Sequence, residues 1–403
     1  MCPVLTVVTD SDRVAVLMNG DLLNENRPVE QTSRLFATEP SDGKQTGRLF
    51  NSDCKVVRDK ALAGERITTE EALALYRGLP LTALGAIADA IRWRKHPQRI
   101  VTYIVDRNIN YTNVCDVFCS FCAFSRREDA PDAYVLTPEQ VGAKVQELVN
   151  IGGVQILLQG GHHPKLKLDY YLNLLRYLRE RFPQVNIHGF SPPEFCHFAK
   201  VFRMPVEEVL RRFKEAGLGS IPGGGAEILV ERVRSELSPL KCSAEDWLHV
   251  MEIAHGLGLR SSATMMFGHV ETVEDRIEHL QRLRELQDRT GGFTAFIGWT
   301  FQPENTRLGG RAVGAHEYLR MLALARMFLD NFDNLQSSWV TQGPQIGQIA
   351  LKFGANDLGS VMMEENVVSA AGATFRMDEA TMQRLIRELD CEPRRRNYRY
   401  ELL

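Results

Sequence analysis

The 403-residue sequence predicts an α/β protein whose central part is a (β/α)8 barrel of the TIM type, preceded by a helical cap and followed by a C-terminal extension. Short β-branched runs that end in glycine, proline or polar residues alternate with amphipathic helical stretches, which is typical of a parallel sheet. Eight such strands occur, and eight strand–helix units close a barrel. Polar clusters follow several strands, so we expect the chemistry at the carboxyl ends of the strands.

The predicted elements divide the chain into four segments. Strand candidates are 101–105, 155–158, 186–189, 219–222, 261–267, 295–300, 336–340 and 359–363. Helix candidates are 139–151, 170–181, 206–216, 244–257, 272–288, 315–330 and 346–353. We therefore expect an N-terminal extension over 1–56, a helical cap over 57–98, the barrel over 99–372, and a C-terminal helix and tail over 373–403.

The segments outside the barrel carry weaker signals. In the extension, 4–8 and 14–18 resemble short strands, whereas 24–47 is polar and turn-rich. The cap contains a threonine followed by two carboxylates over 67–71, a pattern that starts a helix. The arginines of the tail, at 394–396 and 399, indicate a solvated surface rather than a binding patch.

Composition excludes two classes of partner. The hydrophobic fraction of 44% is enough to bury a large core, and the length suits one large α/β domain with extensions or two smaller domains. A net charge of −3 and a pI near 6.4 give no electrostatic footprint for nucleic acid. No apolar run approaches the roughly 20 residues that span a bilayer, and the N-terminus lacks a charged-then-apolar signal pattern, so we expect a cytoplasmic protein without membrane insertion.

Three thiols, Cys115, Cys119 and Cys122, lie within eight residues with the spacing C-x3-C-x2-C. Thiolates this close along the chain can converge on one metal centre without a large closure entropy. The other cysteines are scattered along the chain, at Cys2, Cys54, Cys196, Cys242 and Cys391. A 4Fe–4S cluster bound by this loop would keep one iron open for a non-protein ligand.

Other interpretations of the thiols predict different chemistry. A structural zinc site would need a fourth ligand such as His162 or His163, and a redox pair would need a C-x2-C that opens a helix. Eight cysteines in 403 residues without a secretory signal are too sparse for a disulfide framework. An electron-transfer or scaffold protein that only stores a cluster, and a zinc hydrolase on the same barrel, also remain open.

The cysteine spacing, with Phe121 directly before the last thiol, resembles the signature of the radical S-adenosylmethionine (SAM) superfamily. The resemblance implies that SAM chelates the open iron of a 4Fe–4S cluster and that its reductive cleavage yields a 5′-deoxyadenosyl radical. It also implies a (β/α)8 barrel and an electron donor such as a flavodoxin or ferredoxin.

Several clusters after predicted strands are candidates for binding SAM. Gln159, Gly160 and Gly161 occupy the place where superfamily members often have Gly-Gly-Glu, so backbone groups would replace the missing glutamate contact. Ser191 and Glu194 follow the third strand, where the carboxylate would accept hydrogen bonds from a ribose diol or would serve as an ordinary acid at a helix N-terminus.

Three further segments complete the predicted mouth of the barrel. The run 222–228 holds three consecutive glycines and ends near Glu227, which indicates close approach of a ligand to the backbone, although a flexible turn is the alternative. Gly268 and Glu271 resemble the Gly-x-x-Glu element beneath the adenosyl group. Ile297 belongs to an aromatic-rich strand that we assign to cofactor binding, with core packing as the alternative.

A narrower resemblance follows from segments that are read together: 110–115, 122–124, 159–164, 190–194, 222–227, 263–268, 286–293 and 301–306. They are similar to the cyclic dehypoxanthinyl futalosine synthases of the futalosine route to menaquinone, over roughly 60–390. Aminofutalosine synthases and the tyrosine-using deazaflavin synthase subunit share the cysteine loop and the glycine run. Gly298 departs from the family, where proline is expected.

This resemblance implies an intramolecular carbon–carbon bond formation. The 5′-deoxyadenosyl radical would remove hydrogen from C4′ of the ribose of dehypoxanthinyl futalosine, and the sugar radical would add to the benzoate ring of the same molecule. Loss of an electron and a proton would then restore aromaticity. Candidates for the base are Glu227, His269 and Asp288, chosen by position alone.

Overall fold

The computed structural model describes residues 6–10, 13–17 and 46–403, with side chains described from Cys54 onward. The chain divides into two compact units, 1–49 and 50–403. In the first unit, β1 (Thr6–Asp10) and β2 (Arg13–Leu17) pair as an antiparallel hairpin, which matches the two predicted strands. Most of the polar stretch predicted over 24–47 lies outside the described residues.

Three helices precede the barrel: α1 (Thr46–Ala63), α2 (Thr69–Gly78) and α3 (Leu81–Lys95). The predicted helix start is confirmed at Thr68, whose hydroxyl accepts from the Glu71 N–H at 3.2 Å. The Thr68 N–H donates to the Glu71 carboxylate at 2.7 Å, which completes a reciprocal capping box.

Ten parallel strands form the sheet of the second unit: β3 (Ile100–Ile104), β4 (Asp106–Asn110), β5 (Gln155–Gln159), β6 (Asn186–Gly189), β7 (Ser220–Ile221), β8 (Arg260–Phe267), β9 (Phe293–Thr300), β10 (Asn334–Gln336), β11 (Asp357–Ser360) and β12 (Glu392–Arg395). Hydrogen-bonded neighbours follow the order β12-β3-β11-β10-β9-β8-β7-β6-β5-β4.

The curled sheet confirms the predicted barrel-type fold. β3 and β4 stand on opposite sides of the strand order, yet only Val105 separates them in the chain. The Val105 carbonyl accepts from the Val154 N–H at 3.1 Å, and the Ile104 carbonyl accepts from the Val361 N–H at 3.0 Å. The segment from β3 to β4 therefore joins the β5 side of the sheet to the β11 side.

Three strand predictions need correction. β4 was not predicted, because three of its five residues are Asp106, Asn108 and Asn110, polar side chains that are buried here. The strand predicted over 336–340 is wrong beyond 336, since β10 ends at Gln336 and α12 (Trp339–Gln342) follows. β12 was predicted as tail, although it pairs in parallel with β3.

The remaining helices are α4 (Pro138–Asn150), α5 (Leu168–Arg181), α6 (Pro192–Phe202), α7 (Val206–Ala216), α8 (Glu231–Leu237), α9 (Ala244–Gly256), α10 (Val273–Thr290), α11 (Ala315–Phe328), α13 (Pro344–Ala350), α14 (Val367–Ala370) and α15 (Glu379–Arg387). The seven predicted barrel helices correspond to α4, α5, α7, α9, α10, α11 and α13. In the cap, α3 packs along α11, and α2 contacts both α10 and α11.

The prediction that the arginines of the tail form a solvated surface is wrong for one of them. Arg396 is buried, and its guanidinium donates to the Asp357 carboxylate at 2.5 and 2.9 Å. Arg394, by contrast, is half exposed, as predicted. Within the described residues, we find no helix that is both long and apolar enough to cross a membrane.

Candidate active site

The cysteine loop follows β4 and is held by backbone hydrogen bonds at several points. The Cys115 N–H donates to the Arg126 carbonyl at 3.0 Å, and the Cys122 N–H donates to the Cys119 carbonyl at 3.2 Å. Ser120 donates both its N–H and its hydroxyl to the Leu237 carbonyl at 2.9 Å. The three thiols are therefore carried by a loop whose backbone is fixed from outside the loop.

The glycine pair after β5 allows this loop to lie against the strand. A Cβ on Gly161 would meet the Val114 carbonyl oxygen at 2.1 Å and the Cys115 Cβ at 2.9 Å. A Cβ on Gly160 would meet the ring of Tyr111 at 2.5 Å. The closeness of these contacts explains on steric grounds why both positions are glycine, and it brings Cys115 to the end of β5.

The cysteine sulfurs lie in a mostly buried environment. Burial raises the pKa of the Cys115 thiol to about 11, against the lowering effect of the Val117 and His162 backbone N–H groups that donate to it. Burial also raises the pKa of Cys119, whereas the ammonium of Lys241 lowers it. Metal binding at this loop must therefore displace protons from the thiols.

A buried ion pair lies beside the cysteine loop. The Lys241 ammonium donates to the Glu227 carboxylate at 3.0 Å, and the Arg234 guanidinium lies 3.7 Å from the other carboxylate oxygen. Lys241 also sits over the ring of Phe121, with 5.3 Å between Nζ and the ring centroid. Glu227, Phe121 and Lys241 thus form one group next to Cys119.

The three consecutive glycines each meet a different neighbour. A Cβ on Gly223 would lie 2.7 Å from the Ser262 carbonyl oxygen of β8. Gly224 packs under the Gln159 amide, and Gly225, with φ +76°, packs against Pro193. Close packing inside the protein therefore accounts for this run, which the sequence indicated as a place of close backbone approach.

Ser191 and Glu194 form the capping box of α6 rather than an open rim. One carboxylate oxygen of Glu194 accepts from the Tyr111 hydroxyl at 2.8 Å and the Gly160 N–H at 3.2 Å. The other accepts from the Ser191 N–H and hydroxyl at 2.7 and 2.8 Å. The side chain is buried, and burial raises its pKa to about 7. Each carboxylate oxygen thus already accepts two hydrogen bonds from the protein, so the geometry favours the helix-terminal alternative.

The segment after β8 is likewise tied into the protein. The Glu271 carboxylate accepts from the Gly268 N–H at 2.6 Å and from Arg276 at 2.8 Å, and it lies 2.8 Å from Nδ1 of His269. The other ring nitrogen of His269 lies 3.0 Å from the Met266 carbonyl. Both side chains are fully buried. His269 is therefore partnered at both ring nitrogens by the protein itself.

Asp288 lies away from the barrel mouth, which corrects its selection as a base. It belongs to the last turns of α10, the end of that helix that leads into the start of β9. Its carboxylate accepts from the Arg66 guanidinium at 2.6 and 2.9 Å and from Asn331 at 2.7 Å. These contacts lie at the opposite end of the barrel from the carboxyl ends of the strands.

A cavity of about 290 Å³ lies inside the barrel. Its walls include Gln159 and Ile297, two of the predicted cofactor-binding residues, and Pro222 and Gly224 of the glycine run. Thr264 and Trp299, from two of the predicted segments at the mouth, also line it. Further lining residues, which the sequence did not indicate, are Asn108, Gln155, Leu157, His188, Ser262, Gln336, Thr341, Arg396, Tyr398 and Tyr400. Apolar walls with scattered hydroxyl and amide groups suit a small organic molecule.

Comparison with known families identifies the fold and the cysteine loop. The model of the radical SAM superfamily matches residues 109–283, and the CofH/MqnC C-terminal region matches residues 290–403. A cyclic dehypoxanthine futalosine synthase of Halalkalibacterium halodurans is 47% identical over 86% of this chain and 94% of that protein. The chain belongs to the radical SAM superfamily.

Other relatives within the superfamily differ in how similar they are to this chain. A cyclic dehypoxanthine futalosine synthase of Streptomyces coelicolor is 49% identical over 87% of this chain and 89% of that protein. An aminodeoxyfutalosine synthase of Thermus thermophilus is 42% identical over 79% of this chain and 86% of that protein. The crystal structure of methylornithine synthase has the same fold, with a TM-score of 0.67 at 18% identity over 84% of this chain and 97% of that chain.

The cysteine loop fits the cluster that the radical SAM superfamily implies. Cys119 and Cys122 lie close enough to Cys115 to raise its pKa, so the three thiols share one site. Thiolates on one loop are the ligands that an iron–sulfur cluster requires. A set of three would leave one iron of a 4Fe–4S cluster without a protein ligand.

Sequence reasoning missed Lys241 and Arg234, the two cations that contact Glu227. Both lie in the segment that follows the glycine run, in α8 and in the loop before α9, and neither belongs to a recognisable motif. The available signal was the Glu227 carboxylate at the end of the glycine run, since a carboxylate that becomes buried requires a cation nearby. That signal points to the existence of a partner without identifying it.

Proposed function

We propose that the protein converts dehypoxanthinyl futalosine to cyclic dehypoxanthinyl futalosine in the cytoplasm, as a step of menaquinone biosynthesis. The observation that carries the proposal is the 47% and 49% identity with two cyclic dehypoxanthine futalosine synthases along nearly their whole length. The aminodeoxyfutalosine synthase is less similar and is matched over a smaller part of this chain.

Cys115, Cys119 and Cys122 would bind a 4Fe–4S cluster, with SAM at the open iron. When bound, these groups supply a 5′-deoxyadenosyl radical that abstracts hydrogen from the substrate. The donor set supports this assignment, because three thiols share one loop and the N–H groups of Val117 and His162 donate to a cysteine sulfur. A flavodoxin or ferredoxin would supply the electron.

We assign Phe121, Gln159, Gly160, Gly161, Gly268 and Ile297 to the binding of SAM. Gln159 and Ile297 line the cavity, and Phe121 packs beneath Lys241. Gly160 and Gly161 contribute by letting the cysteine loop approach β5.

The contribution of the barrel to the reaction would be positioning and exclusion of water. The cavity wall combines the apolar side chains of Leu157, Ile297 and Trp299 with the hydroxyl of Thr264. That hydroxyl donates to the Gly223 carbonyl at 2.6 Å, so its orientation is fixed. A rigid wall can hold ribose C4′ near the radical source and the benzoate ring near C4′.

Glu227 is the base candidate that the structure supports best. It lies beside the cysteine loop, where the Lys241 ammonium donates to its carboxylate at 3.0 Å. A carboxylate at this position can accept the proton that the ring loses on rearomatisation.

Mass spectrometry of an anaerobic reaction tests the function. Reconstituted, reduced protein with SAM and dehypoxanthinyl futalosine should form 5′-deoxyadenosine and a product two hydrogens lighter than the substrate. Cys119→Ala should lose cluster and product together. Cleavage of SAM without turnover of this substrate would move the assignment to the substrate of a relative, and full activity of Cys119→Ala would overturn the radical mechanism itself.

A further inference from the structure

Three metal-ligating side chains converge outside the set of cysteine thiols. Asp116 lies in the cysteine loop, His162 follows β5, and His197 belongs to α6. One ligand atom from each lies within 4.8 Å of the other two. These residues come from three separate segments, so the fold and not local sequence brings them together.

His197 is oriented as a metal-ligating histidine usually is. Its Nε2 lies 3.1 Å from the His163 carbonyl oxygen, so Nε2 carries the proton and donates to that oxygen. The Nδ1 lone pair is then available. A hydrogen bond from the second ring nitrogen to a backbone carbonyl is the arrangement that fixes the tautomer and the ring plane of histidine ligands in metal sites.

His162 supplies an independent indication of a ligand. Its side chain is only 9% exposed, and its ring makes no hydrogen bond within the part of the chain that the structure describes. The ring faces that of His197, with 4.9 Å between centroids and 37° between planes. A mostly buried imidazole that lies beside a second imidazole and a carboxylate is placed to share a bound ion with them.

Asp116 completes the set of ligands. Its carboxylate is exposed, and its backbone N–H donates to the His162 carbonyl at 3.2 Å, which fixes the two residues side by side. Two imidazoles and one carboxylate are a common ligand set for zinc and for other first-row divalent ions, with a fourth position left for water.

We propose that Asp116, His162 and His197 bind a divalent first-row metal ion, with zinc as the expected occupant, at a site separate from the three thiols. The ion would connect the residue after Cys115 to the loop after β5 and to α6. It would thereby fix the outer side of the cysteine loop. This site does not depend on the proposed reaction, because its readout is metal binding rather than turnover.

The first test measures zinc and iron per chain in the reconstituted protein after incubation with zinc chloride and desalting. The wild type should retain about one zinc per chain. His162→Ala, His197→Ala and Asp116→Asn should bind zinc at least tenfold more weakly, with iron content unchanged. His163→Ala is the matched control, because this neighbouring imidazole lies outside the triad, and it should retain zinc.

The second test separates this site from the thiols. A variant with alanine at all three cysteines should bind one equivalent of Co²⁺ and show d–d absorption without a thiolate-to-cobalt charge-transfer band. Loss of the ion in that variant would assign it to the thiols and overturn the proposal. Equal zinc binding by the wild type and Asp116→Asn would overturn it as well, and since Asp116 is exposed, this variant should fold.

Discussion

Gly161→Ala tests whether the cysteine loop needs its close approach to β5. The new Cβ would lie 2.1 Å from the Val114 carbonyl oxygen, whereas ordinary contact begins near 3.4 Å. The difference between 3.4 and 2.1 Å requires the loop or the strand to move by about 1.3 Å. The φ of Gly161 is outside the left-handed range, so the effect is steric alone.

This displacement should affect the cluster site more than the fold. Forcing one methyl into a packed contact costs about 1–3 kcal/mol of unfolding free energy. A misplacement of about 1 Å at a reaction centre lowers the rate by roughly 100-fold. We therefore expect a folded protein with a modestly lower melting temperature, and with iron content or 5′-deoxyadenosine formation reduced by one to two orders of magnitude.

Gly256→Ala is the matched control for that experiment. Gly256 ends α9, and a Cβ there would meet nothing within 4 Å. Alanine is the better helix former, so this variant should keep its iron and activity with equal or slightly higher stability. If Gly161→Ala retained wild-type iron content and a rate within about twofold, the steric argument would be refuted.

Three further predictions follow from the ion pairs. Lys241→Met should lower the unfolding free energy by about 3 kcal/mol, measured by chemical denaturation, because it removes the nearest cation from the buried Glu227 carboxylate. Adding Glu227→Gln should recover part of this loss, whereas simple addition of the two single-variant effects would contradict the pairing. Asp288→Asn should leave the rate of product formation unchanged and cost less than about 1 kcal/mol, since its ion pair is exposed; a large loss of rate would restore it as a base. Arg396→Met should destabilise the protein by about 3 kcal/mol in thermal unfolding, whereas Arg394→Met, two residues earlier in β12, should change little. Equal effects of the two variants would show that burial of Arg396 is unimportant.

The strands and helices were predictable where residues that end such elements, proline and glycine, mark the boundaries that the folded protein has. α7 was predicted at its observed bounds, 206–216, because Pro205 precedes it and Gly217 follows it. β4 was not, because its Asp106 and Asn108 face the cavity and give the strand a polar appearance. A strand of a barrel that lines a binding cavity loses the apolar pattern by which strands are recognised.

The thiols of the site were visible in the sequence because they are neighbours in the chain. Lys241 was not, because it lies 14 residues from Glu227 and meets it only in the folded protein. The triad of Asp116, His162 and His197 was missed for the same reason. Local motifs reveal ligands that share a loop, whereas ligands collected from several elements require the fold.

The different contacts of Glu194 and Glu227 follow from where the nearest helix begins. Glu194 is the third residue of α6 and satisfies the N–H of its own cap, Ser191, so the sequence pattern Ser-x-x-Glu describes a helix start as well as it describes a ribose site. Glu227 lies before α8, has φ +40°, and pairs with a cation instead of capping the helix. A carboxylate that follows a barrel strand is therefore a stronger candidate for chemistry when the residue three positions before it is not the N-cap of a helix. This criterion selects Glu227 over Glu194.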